Sequence, residues 1–121
     1  MKLPGKVAAT AFAAIATASQ AANPLIGIWT AEPSWCEFKG EIGEHDPAPI
    51  RITETEIVGL ENICRITSVK PLPTKGAWTV FERCEGDGGK YQAKEIFLLD
   101  RDGALHRFGD NGFMIRMTRC K

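Results

Sequence analysis

The sequence predicts an all-β fold, a small antiparallel β-barrel or sandwich of about eight short strands that two disulfides staple together. Short runs of β-branched and aromatic residues recur at spacings of about ten residues, with Gly, Pro, Asn and Asp between them. After the N-terminal region no segment shows a sustained helical apolar period, so we expect at most a turn or two of helix. Four cysteines in a chain of 121 residues are the third observation, because an even count in a short exported chain is typical of a disulfide-stapled domain.

The first half of the chain contains the shorter predicted strands. A compact apolar run at residues 25–30 begins the sheet, and Pro33 breaks it before a short segment at residues 35–38. Residues 40–49 combine Gly and Pro with acidic side chains and are predicted to form a loop. Alternating strands are predicted to follow at residues 50–53 and 56–60.

The second half contains longer strands separated by clear turn sequences. The predicted strands are residues 63–69, 77–84, 91–99, 104–108 and 113–119. The predicted connections, where Gly, Pro, Asp and Asn concentrate, are residues 70–76, 86–89, 100–103 and 109–112. We interpret Arg116 and Arg119 as charges on the outer face of the last strand, where charge discourages further pairing. The alternative is that they form an anion-binding patch with Arg107.

Residues 1–21 have the pattern of a secretory signal peptide. Two lysines precede residues 7–17, an uncharged run rich in Ala, and Ser19 and Ala21 are small residues at the positions that a signal peptidase reads. We therefore expect an exported protein, periplasmic or secreted, whose residues 22–121 form a single β domain.

The charge balance restricts the classes of partner. Lys and Arg number 15, Asp and Glu number 15, and the isoelectric point is about 6.7. Nucleic-acid binders need a basic surface to neutralise phosphates, so we expect no nucleic-acid partner. No stretch of the predicted domain is long and apolar enough to span a bilayer. We expect a monomer that binds another protein.

The four cysteines are predicted to form structural disulfides. If residues 70–76 bend the flanking strands into a hairpin, Cys64 faces Cys84, and Cys36 is left to join Cys120 near the end of the chain. Three pairings of four cysteines exist, and the hairpin favours this one. The wide spacings lack the close ligand pairs of a zinc site, so we expect no metal.

Gly27-Ile28-Trp29 resembles the G-x-W motif of lipocalins and other calycin-like barrels, in which the Trp plugs the closed end. The overall plan is similar to that of small periplasmic inhibitors of secreted metalloproteases and, less closely, of lysozymes. It also resembles that of Gram-negative envelope proteins with a terminal Arg-Cys. In the metalloprotease inhibitors the free mature N-terminus enters the cleft of the target. The resemblance implies that the binding residues here would be Ala22, Asn23, Pro24 and Leu25.

Trp35 is a second candidate for binding. It follows Pro33 and Ser34 at an expected rim of the barrel, where an exposed aromatic side chain would anchor an interface. The alternative is that Trp35 packs over the disulfide of Cys36, as large aromatic side chains commonly do.

The sequence contains none of the common catalytic motifs, such as G-x-S-x-G, H-E-x-x-H, a P-loop or a dinucleotide fingerprint. Its two histidines are His45 and His106. His45 lies in the acidic stretch from Glu41 to Asp46, which could hold a divalent cation or could be a solvated loop. We expect no catalytic residue and no cofactor.

Together these patterns predict a binding protein without catalytic activity, an inhibitor or interaction module for an envelope or secreted hydrolase. The alternatives are a structural envelope protein and a carrier of a small apolar ligand inside the barrel. Large side chains are expected to leave little room for such a ligand, namely Trp78, Phe81, Phe97 and Phe113. An enzyme that uses Glu44, His45 and Asp46 is a further alternative.

Overall fold

A computed structural model describes residues 24–121, and this part of the chain forms a closed antiparallel barrel of eight strands. Each strand pairs with its sequence neighbours, and the last strand closes the barrel against the first. The strands are β1 (Gly27–Thr30), β2 (Ile50–Ile52), β3 (Glu56–Gly59), β4 (Asn62–Pro71), β5 (Ala77–Gly86), β6 (Gly89–Leu99), β7 (Leu105–Gly109) and β8 (Met114–Arg119). The predicted all-β class is confirmed, and of the two architectures the barrel is the one formed. The predicted signal peptide at residues 1–21 lies outside the described residues.

The segment after β1 is a 3-10 helix over Pro33–Phe38, which agrees with the expected turn or two of helix. Pro33 occupies its first turn, where a helix has no use for a backbone N–H and where the fixed φ of proline is favourable. Backbone bonds from Trp35 N to Glu32 O (2.9 Å) and from Lys39 N to Cys36 O (3.1 Å) hold the short helix. Within the described residues, no helix is long and apolar enough to cross a membrane.

Both predicted disulfides are confirmed. Cys64 on β4 lies directly opposite Cys84 on β5, and Cys36 in the 3-10 helix is bonded to Cys120 just after β8. The first bridge reinforces the longest hairpin of the barrel. The second fixes the 3-10 helix to the end of the chain across a separation of 84 residues. In the loop-entropy account, bridges of these lengths stabilise the fold by about 3 and about 4 kcal/mol respectively.

The connections between strands alternate between the two ends of the barrel, as they must in an up-and-down barrel. One end carries the β3–β4, β5–β6 and β7–β8 turns, at residues 60–61, 87–88 and 110–113. We call it the cleft end. The opposite end carries the β2–β3, β4–β5 and β6–β7 turns, at residues 53–55, 72–76 and 100–104. We call it the plugged end.

The plugged end is filled by an apolar core around Trp29. The indole is fully buried, and its Nε1 donates a hydrogen bond to the Leu25 carbonyl at 3.0 Å. The core residues packed in this part of the barrel include Leu25, Ile52, Val80, Phe97, Leu105 and Met117. Because strand residues alternate between the two faces of a sheet, these side chains point inward while their neighbours face solvent.

Arg119 completes the plug, which corrects its predicted place on the outer face of β8. Its guanidinium stacks over the Trp29 ring at 4.2 Å and donates to the carbonyls of Ile26 (2.7 Å) and Pro24 (2.8 Å). Gly27 makes this possible, because a Cβ at that position would collide with Arg119 Nη1. The G-x-W motif thus places a glycine beside the guanidinium and a tryptophan under it.

Candidate functional site

The predicted N-terminal binding residues divide into two groups. Ala22 and Asn23 lie outside the described residues. Pro24 is exposed, but its carbonyl accepts a hydrogen bond from Arg119, and Leu25 is buried in the core with only 5% of its surface exposed. Leu25 is therefore a structural residue of the plugged end, and any free N-terminal segment ends before it.

Trp35 and the acidic loop are both placed on the outside of the barrel. Trp35 is half-buried within the 3-10 helix, beside the disulfide-bonded Cys36. In the acidic loop, Glu41 and Asp46 are exposed. The His45 ring stacks on Phe38 with its Nδ1 at 2.8 Å from the Pro47 carbonyl. These residues do not converge on a common point within the described structure.

The structure instead brings together three charged side chains inside the cleft end: Glu82 of β5, Glu95 of β6 and Arg107 of β7. Glu82 is 3% exposed and Glu95 is 6% exposed. Arg107 binds Glu95 in a bidentate pair, with Nε donating to Oε1 at 2.8 Å and Nη2 donating to Oε2 at 2.7 Å. Paired guanidinium and carboxylate groups of this geometry are strong and directional.

The strand register determines that the charged side chains point into the barrel and which residues lie opposite them. Glu82 shares its inward phase with Val80 and Cys84, so its carboxyl has to enter the barrel. The residue opposite Glu82 is Ala93, and the residue opposite Glu95 on β7 is Gly109. Ala93 is small and lines the cleft together with both carboxyls, whereas the space beside Gly109 is occupied, since a Cβ there would lie 2.9 Å from Asn111 Oδ1.

Glu82 has no counterion of its own. Its Oε2 is the single buried side-chain oxygen or nitrogen in residues 24–121 that finds no hydrogen-bond partner when the carboxyl is ionised, because the group beside it is a second carboxyl, that of Glu95. Its Oε1 lies 3.8 Å from Cys84 Sγ, which carries no proton because it is in the disulfide. Burial of an unpaired carboxylate is costly, and the ordinary response of such a group is to bind a proton.

The two carboxyls are accordingly held in different protonation states. Burial, a hydrogen bond with Glu95 and the charge of Glu95 raise the pKa of Glu82 to about 9. Burial alone would also raise the pKa of Glu95, but hydrogen bonds from Arg107 and Glu82 outweigh it, and the pKa of Glu95 is lowered. At neutral pH the cluster is a protonated Glu82 that donates to an ionised Glu95, which in turn is neutralised by Arg107.

The cluster lies in a cleft of about 440 Å³. Tyr91 and Phe113 stand on its rim, with 47% and 43% of their surfaces exposed. Tyr91 Oη donates to Asn62 Oδ1 at 3.2 Å, and the Arg107 guanidinium lies 5.8 Å from the Phe113 ring. The interior prediction is therefore wrong for Phe113, which is on the rim. It is also wrong for Phe81, which alternates with the buried Val80 and Glu82 and lies outside the barrel next to Lys70 and Lys94.

A metal does not fit this cluster in the oxidised protein. Ligand atoms of Cys64, Glu82 and Cys84 lie within 4.8 Å of one another. However, the two sulfurs are joined in a disulfide, so neither is a thiolate, and Glu82 is the only one of the three residues left to act as a ligand.

Sequence reasoning did not identify Glu82 or Glu95, and it considered Arg107 only in an anion-binding patch with Arg116 and Arg119. Their charges in alternating strands are also what a solvated outer face contains. The available signal was the alternation of strand residues between the two faces of the sheet. Glu82 lies two residues after Val80 and two before Cys84, so a strand that buries those two residues also buries the glutamate.

Comparison of the chain with models of protein families, with curated proteins and with solved structures finds no match.

Proposed function

We propose that the protein is an exported binding protein, an inhibitor or interaction module for an envelope or secreted hydrolase, and that its cleft end contacts the partner. The observation that carries the proposal is the exposure of Tyr91 and Phe113 on a cleft that is also lined by the buried charges of Glu82 and Glu95. Aromatic anchors around a desolvated centre are the composition of interface hot spots. Export is supported by the pattern of residues 1–21 and by the two disulfides.

Further apolar side chains are exposed at the same end of the barrel. Leu60 in the β3–β4 turn is 41% exposed, and Ile63 at the start of β4 is 51% exposed. Met114, next to Phe113, is 71% exposed. Exposed apolar groups concentrated at one end of a small domain favour a protein contact there.

The charged cluster favours binding over catalysis. A general base near neutral pH needs a pKa close to that pH. Although burial opposes it, the bidentate pair with Arg107 lowers the pKa of Glu95, so this carboxylate is a weak base. Glu82 is protonated at neutral pH and has no basic or nucleophilic neighbour that is free to act with it.

A carrier of a small apolar ligand is the second candidate. The plugged end contains an apolar cavity of about 130 Å³ lined by Leu25, Ile52, Ile66, Val69, Val80 and Phe97, among others. That volume holds a ligand about the size of benzene. A carrier would therefore bind an apolar fluorescent probe of larger size only weakly, whereas an inhibitor would bind none.

The experiment that tests the proposal is inhibition of secreted metalloproteases and lysozymes by the oxidised protein and two matched variants. Tyr91→Ala with Phe113→Ala should weaken inhibition by a factor of about 100 or more, because it removes both aromatic anchors. Ile96→Ala removes an apolar side chain that is 38% exposed on the side of the barrel, and it should leave inhibition unchanged.

A deletion of Ala22 and Asn23 separates this proposal from the N-terminal mechanism. The deletion keeps Pro24, whose carbonyl Arg119 holds, so the plugged end stays intact. Loss of inhibition in the deletion, with full inhibition by the double aromatic variant, would assign binding to the N-terminus and contradict the cleft end.

A further inference from the structure

We propose that the cleft end recognises an organic cation, an ammonium or guanidinium group, which pairs with the Glu82 carboxylate between Tyr91 and Phe113. The inference rests on the proposed function, in which a protein partner binds this end of the barrel and the cation is a Lys or Arg side chain of that partner. A free amine would supply the same chemistry, and the experiment distinguishes the two.

The first step is the position of Glu82. Its carboxyl lines the cleft, is 97% removed from solvent and carries the unpartnered Oε2. A barrel that needed only stability would fill this inward position with an apolar side chain, as it does at Val80. An orphaned oxygen buried in a residue that lines a cleft is instead suited to a donor brought by a ligand.

The second step is charge. The titratable and charged groups that face Glu82 are Glu95 on β6, Arg107 on β7 and Asp110 in the β7–β8 turn. Arg107 is already used by Glu95, and Asp110 adds negative charge. Lys94 also lines the cleft, but its Nζ lies 6.0 Å from the Phe81 ring and it is exposed. An added cation would balance an ionised Glu82, whereas an added anion would face three carboxyl groups, those of Glu82, Glu95 and Asp110.

The third step is the character of the walls. Aromatic faces attract cations, and at Phe113 the ring already lies 5.8 Å from one guanidinium. Tyr91 offers a second exposed ring on the same cleft. The volume of about 440 Å³ accommodates the head and part of the aliphatic stem of a Lys or Arg side chain.

An organic cation fits better than a metal ion. A divalent ion needs several oxygen ligands, but both Glu95 oxygens are bound to Arg107 and the two cysteine sulfurs are in the disulfide. An ammonium or guanidinium group needs only the Glu82 oxygens and the aromatic faces.

The proposal predicts that binding of a cation releases a proton from Glu82. The protonated carboxyl is the resting form, and the ionised form is the one that binds the cation. Affinity should therefore rise with pH, approaching tenfold for each pH unit between about pH 6 and pH 8.

The test is calorimetric titration of the oxidised protein with n-butylguanidinium and n-butylammonium, in two buffers of different ionisation enthalpy. We expect saturable binding with release of about one proton at pH 7. Glu82→Gln should bind at least about tenfold more weakly and release no proton. This variant mimics the protonated carboxyl, so it should fold normally. Glu85→Gln, an exposed carboxylate on the same strand, is the matched control and should behave as the wild type.

The source of the cation is separated by two further probes. An acetylated and amidated Gly-Arg-Gly peptide that binds more tightly than butylguanidinium would indicate a side chain of a protein partner, and the reverse order a free amine. Equal binding of neutral n-butanol, or butylguanidinium binding that Glu82→Gln leaves unchanged, would overturn the inference. Either failure leaves the hydrolase-inhibition result intact, so the two proposals can fail separately.

Discussion

The two ends of the barrel each hold an arginine against aromatic rings, and they use it differently. At the plugged end Arg119 lies over Trp29 and donates to two backbone carbonyls, which fixes the segment before β1. At the cleft end Arg107 lies 5.3 Å from Phe97 and is paired with Glu95, while Glu82 beside it has an unpartnered oxygen. The plugged end is arranged for stability. The cleft end retains an unsatisfied polar group, and this is the physical reason to assign recognition to it.

Removal of the plug should give the largest loss of stability. Trp29→Ala deletes a fully buried indole and leaves Arg119 without its stacking partner, so the free energy of unfolding should fall by about 3 to 5 kcal/mol. Urea denaturation at pH 7 measures the change. Trp78→Ala, which removes a half-buried ring, is the control and should cost clearly less. Equal losses in the two variants would show that the plug has no special role.

Loss of the cleft arginine should have the next largest effect. Arg107→Met keeps much of the volume but leaves the buried Glu95 carboxylate unpaired, and the free energy of unfolding should fall by about 3 kcal/mol. Adding Glu95→Met to this variant should restore most of the stability, because no buried charge then remains. The prediction fails if urea denaturation finds the single variant as stable as the wild type.

Glu82 should make the stability of the cleft end depend on pH. Its pKa is raised in the folded protein, so the folded state binds a proton that the unfolded chain releases near its ordinary pKa. The stabilisation is complete below pH 4.5 and declines as the pH rises towards about 9, with a slope of at most about 1.4 kcal/mol per pH unit. Urea midpoints of the wild type should fall across this range, and those of Glu82→Gln should fall much less. Parallel profiles of the two proteins would contradict a protonated Glu82.

Asp100 in the β6–β7 turn should have the smallest effect on stability, and its contribution should change with pH in the direction opposite to that of Glu82. His106 Nε2 lies 2.8 Å from Asp100 Oδ2, and this contact with the backbone N–H groups of Ala104 and Asp102 lowers the pKa of Asp100 to about 2. The stabilisation is therefore present at neutral pH and is lost as the pH falls towards 2. Asp100→Asn should shift the thermal midpoint slightly at pH 6 and not at pH 2. A larger shift at pH 2 would reverse the assigned sign.

The sequence predicts the barrel well because its signals are local. Alternating strands and glycine-rich turns recur along the chain, and the hairpin around residues 70–76 places Cys64 opposite Cys84 as expected. The break predicted at Pro33 is also confirmed, and a short 3-10 helix begins there. The G-x-W motif also locates the plug, although the partner of Trp29, Arg119, lies far away in sequence and was assigned to the outer face.

The candidate site is harder to predict because it depends on which face of its strand each residue occupies and on the register of three separate strands. Glu82, Glu95 and Arg107 come together only when the register of β5, β6 and β7 is fixed. A charge in an alternating strand ordinarily faces solvent, so each of the three residues fits the common pattern when it is considered alone. Only their combined burial, and the orphaned oxygen of Glu82, distinguish the site from an ordinary strand surface.

The most direct test of the difference between the two ends is the protonation state of Glu82, measured by carboxyl carbon NMR at pH 7 with and without n-butylguanidinium. We predict a protonated carboxyl in the free protein and an ionised carboxyl in the bound one, assigned through the signal missing in Glu82→Gln. A carboxyl that is already ionised in the free protein, or one that stays protonated with the cation bound, would contradict the assignment of recognition to the cleft end.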